Sequence, residues 1–250
     1  MSKELEVAIQ AVMEGAKYAL SKFNNKLVVH KKADQTVVTK VDSEVEEIIK
    51  SIISKAFPNA YFVGEETGGE INSQEFWTID PIDGTRHFLR HTPMWAVLIS
   101  LVRNGEPVLG VSYVPGMNEV MYAEKGSGAF LNDERIEVSQ IDKISEAILL
   151  LGSMRFFEDK LPLTRLIESC ASTRSYVSPY EYHLLASGRA EIVIDGYGKI
   201  WDIAPFKVIL EEAGGKITDS EGKPWNTLTK GGISTNGRLH EGVVNIYNQK

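Results

Sequence analysis

Cysteine is almost absent. Cys170 is the only one in 250 residues, so no internal disulfide can form and a reducing compartment is expected. Long hydrophobic runs are also missing. The longest, around Trp95–Val102, is far short of the ~20 residues a membrane helix needs. The opening Met-Ser-Lys-Glu-Leu-Glu lacks the apolar core of a secretory signal, so the expectation is a cytoplasmic protein with no membrane partner. Positive charge is in deficit. Lys and Arg number 27 against 34 Asp and Glu, a net charge of −7, which argues against nucleic acid or anionic lipid as a nonspecific partner. No repeat or low-complexity linker interrupts the chain. With 43% hydrophobic and 24% charged residues it has the profile of a soluble globular protein able to bury a large core. At roughly 100–200 residues per domain, that is one large domain or two intimately packed ones.

Hydrophobic spacing then divides the chain. Leu5, Ile9, Val12, Ala16 and Ala19 recur every three or four residues, which predicts an amphipathic helix over 3–22. A second helix is expected from Asp42 to Phe57, with Ser43 as its cap, Glu46 completing a capping box and Pro58 as its stop. From residue 60 the period shortens to that of strands. Ala60–Val63, Phe76–Ile79, Met94–Val102, Val108–Val114 and Glu119–Ala123 read as a sheet, with Asn104-Gly105 as a hairpin turn. Helices over 162–172, 179–188, 203–213 and 239–248 alternate with strands over 190–194, 216–218 and 232–235. The mixture implies an α+β protein of helices layered on sheets, divided into an N-terminal part, 1–145, and a C-terminal part, 146–250.

The chemistry concentrates in Trp77-Thr78-Ile79-Asp80-Pro81-Ile82-Asp83-Gly84-Thr85. An apolar strand delivers Asp80, Pro81 stops the pairing, and Gly84 permits a tight turn before a short helix opening at Thr85. Two carboxylates on such a turn suit a hard divalent cation held through oxygen. The N–H groups of Gly84 and Thr85 suit a phosphate oxygen. An ordinary Asp-Pro and Asp-Gly loop has the same spacing. Gly64-Glu65-Glu66 leaves another predicted strand into a glycine-rich loop, and Trp201-Asp202 precedes a helix that Asp202 alone could simply cap.

Together these elements resemble the inositol-monophosphatase-like superfamily of metal-dependent phosphatases. The resemblance covers nearly the whole chain. It rests on Gly64-Glu65-Glu66, on Asp80-Pro81-Ile82-Asp83-Gly84-Thr85, and on Trp201-Asp202-Ile203-Ala204 followed by Glu212-Ala213-Gly214-Gly215, with Val38-Thr39-Lys40-Val41-Asp42 as a fourth element. It implies an αβαβα sandwich and a homodimer. It implies two or more Mg²⁺ ions, the first held by Glu65, Asp80 and the carbonyl of Ile82, the second by Asp80, Asp83 and Asp202. It also implies phosphate binding by Gly84 and Thr85, a water oriented or activated by Thr85 with Asp42, a catalytic share for Glu65, and inhibition by Li⁺. Lys31 falls near the lysine that precedes the Asp42 element in this superfamily. Asp195, seven residues before Asp202, matches an acidic substrate-contacting position, and Asp83 would share in substrate binding.

The implied activity is hydrolysis of a small polyol or amino-alcohol phosphate. Phe88-Leu89-Arg90, Pro93-Met94-Trp95-Ala96 and Arg174-Ser175-Tyr176 look closer to a histidinol-phosphatase branch. Tyr113-Val114-Pro115 and Gly126-Ser127-Gly128-Ala129-Phe130 look closer to inositol monophosphatases. Fructose 1,6-bisphosphate, a 3′-phosphonucleotide and a regulatory protein-binding role are the alternatives. His87 and His91, four apart, invite a zinc reading that no further Cys or His spacing supports. Arg155 and Arg174 read equally as substrate contacts or surface charges. Tyr180 and Tyr182 read as core or pocket wall, and Cys170 as a buried thiol rather than a nucleophile.

Overall fold

The computed structural model describes every residue except 26, 32–36, 72, 73, 158, 177 and 250. Its first layer is a pair of helices. α1 spans Lys3–Lys22 and starts where the Ser2 hydroxyl accepts the Leu5 N–H at 3.2 Å. A short antiparallel hairpin, β1 (Val29–Lys31) and β2 (Val37–Thr39), leads into α2, Lys40–Ala56. The cap of α2 is Thr39, not Ser43. Thr39 Oγ1 accepts the Val41 N–H, and Asp42 inside the first turn accepts the Thr39 N–H at 2.8 Å. Asp42 is therefore anchored by the cap rather than released by it, and it is fully buried. The side chain of Lys31 lies outside the described residues.

The second layer is a seven-stranded sheet. Its strands are β3 (Phe62–Gly64), β4 (Glu75–Asp83), β5 (Ala96–Arg103), β6 (Glu106–Val114), β7 (Glu119–Glu124), β8 (Ala129–Leu131) and β9 (Glu134–Ile136), hydrogen-bonded in that order. β3 and β4 are parallel and every later pair is antiparallel. The β5–β6 hairpin turns on Asn104 and Gly105, both at positive φ (52° and 79°), as an Asn-Gly turn requires. β5 is apolar but for Ser100 and its terminal Arg103, because both its faces are covered. Val97, Ile99 and Leu101 pack under α1 and α2, while Ala96, Leu98 and Val102 face the opposite layer. Between β4 and β5 lies α3, Thr85–Leu89.

A second sheet, of five strands, forms from β10 (Ile148–Leu151), β11 (Ser172–Arg174), β12 (Ile192–Asp195), β13 (Lys216–Thr218) and β14 (Gly232–Thr235), in the order β11-β10-β12-β14-β13. Its helices are α4 (Leu161–Ser169), α5 (Ser178–Ala186), α6 (Ile200–Glu212) and α7 (His240–Tyr247). The alternation of one strand separates the remaining layers. Ile192 and Ile194 of β12 pack with α4 and α7 on the outer face, whereas Val193 joins α5 and α6 between the two sheets. The order is helices, sheet, helices, sheet, helices, which is the αβαβα sandwich that the resemblance implies.

Boundaries moved where a local signal competed with a tertiary one. The helix expected over 162–172 ends at Ser169, and residues 172–174 pair as an edge strand against β10. α6 opens at Ile200 instead of 203 and ends before Gly214, whose φ is 93°. Its central position explains why Ile203–Leu210 is an apolar run, broken only by Lys207, that is buried throughout. Gly110 on β6 is where α6 comes nearest the first sheet. A Cβ at that position would stand 2.2 Å from the Pro205 carbonyl oxygen.

Candidate active site

β4 does not stop at Asp80 as expected. It continues through Pro81 to Asp83 with an irregularity in its pairing. Asp80 stands opposite Leu98 and Asp83 opposite Ala96, so three steps on β4 match two on β5. Pro81 supplies no N–H, which makes this a natural place for the ladder to break. The consequence is geometric. In an unbroken strand, residues three apart point to opposite faces, but one extra residue restores them to the same face. Asp80 and Asp83 thus line one cavity of about 320 Å³. Gly84 follows at φ 87°, a left-handed turn that favours glycine, and opens α3. Thr85 Oγ1 then lies 3.1 Å from the Ile82 carbonyl oxygen and 3.4 Å from Asp42 Oδ1.

Glu65 and Asp202 line the same cavity from other parts of the chain. Glu65 leaves β3, its N–H donating to the Ile79 carbonyl at 3.0 Å. The loop beyond is tied to α2 by Glu46, a fully buried carboxylate that accepts the Glu66 N–H at 2.9 Å and the Thr67 hydroxyl. Lys50 lies 2.6 Å from Glu46 and compensates its charge. Gly64 is required there, because a Cβ would come 2.2 Å from Glu46 Oε1. Glu46 was read only as part of a capping box. Its position one helical turn before Lys50 was the available signal for a buried ion pair. Asp202 sits in the first turn of α6 and accepts the Lys199 N–H at 2.7 Å. It performs the capping task and still lines the cavity.

Crowding these acids out of water opposes their ionisation. Burial, then the charges of Glu65, Asp83 and Asp202, hold Asp80 well above the usual carboxylate range. Burial and the Asp202 charge do the same to Asp83. Asp202 is pushed to about 7, by burial first and then by Glu65. Burial also raises Asp42, against the hydrogen bonds from Thr39. Asp83 Oδ2 is buried and has no hydrogen-bond partner among the described residues. Among those residues no three His, Cys, Asp or Glu side chains meet the arrangement of a finished cation cage. The donor set is nevertheless that of a hard divalent cation: carboxylate oxygens from Glu65, Asp80, Asp83 and Asp202 round one cavity, one of them orphaned. The residues fit Mg²⁺.

Asp195 also lines the cavity, at the end of β12, and its Oδ1 accepts the N–H groups of Tyr197 and Gly198 at 2.8 and 2.9 Å. The turn and the pocket wall are one residue, not alternatives. Glu181 and Lys199, which the sequence reading did not single out, line it as well, as does Tyr176 of the Arg174-Ser175-Tyr176 segment. His87 and His91 do not form a pair. α3 ends at Leu89, His91 takes φ 56° and its ring meets Phe23 edge-on, while His87 Nδ1 lies 2.9 Å from Thr92 Oγ1. Tyr182 is core, stacked on Phe206, and Tyr180 is half-buried. Arg174 is exposed, with Nη1 donating to the Thr173 carbonyl. Burial and Glu191 raise the Cys170 thiol to about 11, which removes it as a nucleophile at neutral pH.

Comparison with known proteins identifies the family. The sequence profile of the inositol monophosphatase family matches residues 1–250. A Thermotoga maritima protein named fructose-1,6-bisphosphatase/inositol-1-monophosphatase is 36% identical over 221 residues, 85% of this chain and 83% of the relative. A histidinol-phosphatase of Chlorobaculum parvum is 33% identical over 249 residues, 98% of this chain and 96% of the relative. The solved structure of a Thermotoga maritima IMPase superposes with a TM-score of 0.92 at 33% identity, covering 99% of this chain and 98% of that one. The chain belongs to the inositol monophosphatase family.

Proposed function

We propose that this member of the inositol monophosphatase family is a Mg²⁺-dependent phosphomonoesterase acting on a small polyol or amino-alcohol phosphate, with histidinol phosphate and inositol monophosphate as the leading substrates. The observation that carries this reading is the β4 bulge, which turns Asp80 and Asp83 into the cavity shared by Glu65 and Asp202. Glu65, Asp80 and the Ile82 carbonyl would hold one ion. Asp80, Asp83 and Asp202 would hold a second. Bound there, such ions would supply Lewis-acid chemistry, lowering the pKa of water and offsetting the negative charge of the reaction.

The rest belongs to the protein. Gly84 and Thr85 present backbone N–H groups to the phosphate oxygens. Thr85 Oγ1 accepts a hydrogen bond from the attacking water and faces Asp42 Oδ1, which takes up the proton; burial has already raised the affinity of Asp42 for it. The water oxygen bonds to phosphorus as the P–O bond to the alcohol breaks, the leaving oxygen takes a proton from solvent water, and Asp42 returns its proton to solvent. Asp195 contacts the alcohol half of the ester from the cavity wall.

This reading includes inhibition by Li⁺, a homodimer, a cytoplasmic location and a division near 145 between parts that each carry one of the sheets. Among the described residues no helix is long and apolar enough to cross a membrane. A sugar bisphosphate is the second substrate reading. It is favoured by the double name of the Thermotoga relative and by Arg86 and Lys199 on the cavity wall, two cations suited to a further phosphate.

Phosphate release from histidinol phosphate, inositol 1-phosphate, fructose 1,6-bisphosphate and 3′-phosphoadenosine 5′-phosphate tests the assignment. With Mg²⁺ one of the first two gives the highest kcat/KM. Asp83→Asn and Asp202→Asn each reduce it by about 100-fold or more, with the fold intact by circular dichroism. Wild-type rates in either folded variant would remove that residue from the mechanism.

A further inference from the structure

Glu181 is a buried acid on the cavity wall that the mechanism above does not use. It lies in the first turn of α5, is only 2% exposed, and accepts the Tyr176 N–H on Oε1 at 2.8 Å. That bond ties the entry of the helix, but glutamine would supply the same acceptor without an ionisable group in the interior. Burying a carboxylate is costly unless a cation accompanies it. Burial first, and the nearby charge of Asp195, raise Glu181 to about 7. Asp195 is itself raised by burial, so two acids that the proposed ions do not neutralise share one wall. Around them stand Phe157, Tyr176 and Ile194, apolar and aromatic surfaces that offer a polyol few hydrogen bonds but can face a cation with a ring.

We propose that Glu181, acting with Asp195, is the specificity-determining residue that reads an ammonium group on the alcohol half of the ester. The inference rests on the proposed phosphatase reading and extends it to the leaving group. An ammonium has three donors and no acceptor, which matches a pair of carboxylates and leaves none of its N–H groups facing hydrocarbon. Its charge also favours the ionised form of both acids.

The test uses two esters that differ only in the amine, histidinol phosphate and its des-amino counterpart. Wild-type protein should prefer the amine by about tenfold or more in kcat/KM. Glu181→Gln should lose that preference through KM on the amine ester and stay within about threefold on the des-amino ester, since its amide oxygen still accepts the Tyr176 N–H. The preference should also rise from pH 6 to pH 8 in wild type and rise less in the variant, where Asp195 alone remains. Among the described residues, the titratable groups sharing these surroundings are Asp195 on β12, Tyr182 and His183 on α5, Tyr176 at its entry, and Lys199 and Asp202 at the start of α6. The ester phosphate and imidazole titrate alike in both substrates and cancel in the ratio. An equal loss on both esters, or none on either, would leave Glu181 only a helix tie and overturn the inference. If the variant does not fold, the wild-type preference and its pH dependence decide. If wild type hydrolyses no phosphate ester, the phosphatase reading falls by itself. Calorimetric binding of the same two esters in Ca²⁺ then decides this inference: a tenfold advantage for the amine supports it, and equal affinities end it.

Discussion

At the scale of residues, the site is a set of acids held where their charge is unwelcome. Asp80, Asp83 and Asp202 all have pKa values raised by folding. A raised carboxyl favours the fold while protonated, fully below its unfolded value near 4. It loses that contribution as pH rises through the folded value, about 7 for Asp202. His87, His183 and His240 act oppositely, each lowered by burial. His240, between Thr218 and Thr235, is lowered to about 4, so its contribution is present above pH 6.5 and is lost as pH falls toward 4. Asp42, Glu181 and Asp195 are raised as well, so the raised acids outnumber the histidines and the melting temperature of metal-free protein should fall as pH rises from about 5.5 to 8. Saturating Mg²⁺ should raise that temperature by an increment that grows over the same interval. Scanning calorimetry with Mg²⁺ or with a chelator checks this, and a pH-independent increment would mean that the carboxylates are not where the cation binds.

The same scale shows what sequence reasoning can reach. Glu65, Asp80, Asp83 and Asp202 were singled out from the sequence, because each follows a strand end or opens a helix, where local chemistry leaves a signature, whereas Asp195 came only through the resemblance, seven residues before Asp202. Glu181 and Glu46 were not. Each sits in the first half of a helix where an acid is unremarkable, and only the packing of α5 beside β12, or of α2 beside the β3–β4 loop, shows what it faces.

At the scale of elements, position depends on close approaches that no local pattern encodes. The bulge in β4 is one. Asp-Pro-Ile-Asp suggested a strand that stops, while the structure has a strand that slips by one residue and resumes. The meeting of α6 with β6 is another. Gly110→Ala would drive a methyl group into the Pro205 carbonyl and push back the helix that carries Asp202. Overpacking of this kind costs about 1–3 kcal/mol. We expect a lower denaturation midpoint together with a fall in kcat, whereas a variant with unchanged stability and rate would show that α6 tolerates the shift.

α5 is held by a buried chain of polar groups. Ser112 Oγ of β6 lies 2.8 Å from His183 Nε2, and His183 Nδ1 lies 3.0 Å from Glu119 Oε2, which also pairs with Arg189. The order resembles a hydrolase triad, but Ser112 and His183 have no exposed surface, so no ester can reach them. Removing His183 would strand buried partners. His183→Phe should cost about 1–3 kcal/mol for each polar group left unsatisfied, measured by urea denaturation. No loss of stability would mean that water replaces the ring.

At the scale of the whole molecule, five layers bring distant segments to one cavity. The first sheet contributes Glu65, Asp80 and Asp83, and the helix between the sheets contributes Asp202. The layer order was expected from the resemblance, whereas hydrophobic spacing alone yielded only the alternation of helices and strands. The short strands β1, β2 and β8 to β11 escaped notice, although the equally short β13 and β14 did not. Three or four residues carry little periodicity, and pairing is decided by neighbours elsewhere in the chain. The central claim is that this assembly exists to hold paired divalent cations beside a phosphate. The most direct measurement is anomalous diffraction from crystals grown with Mn²⁺ in place of Mg²⁺. The account predicts two peaks about 3.5–4 Å apart among Glu65, Asp80, Asp83 and Asp202. An absence of peaks in that cavity at saturating Mn²⁺ would contradict it.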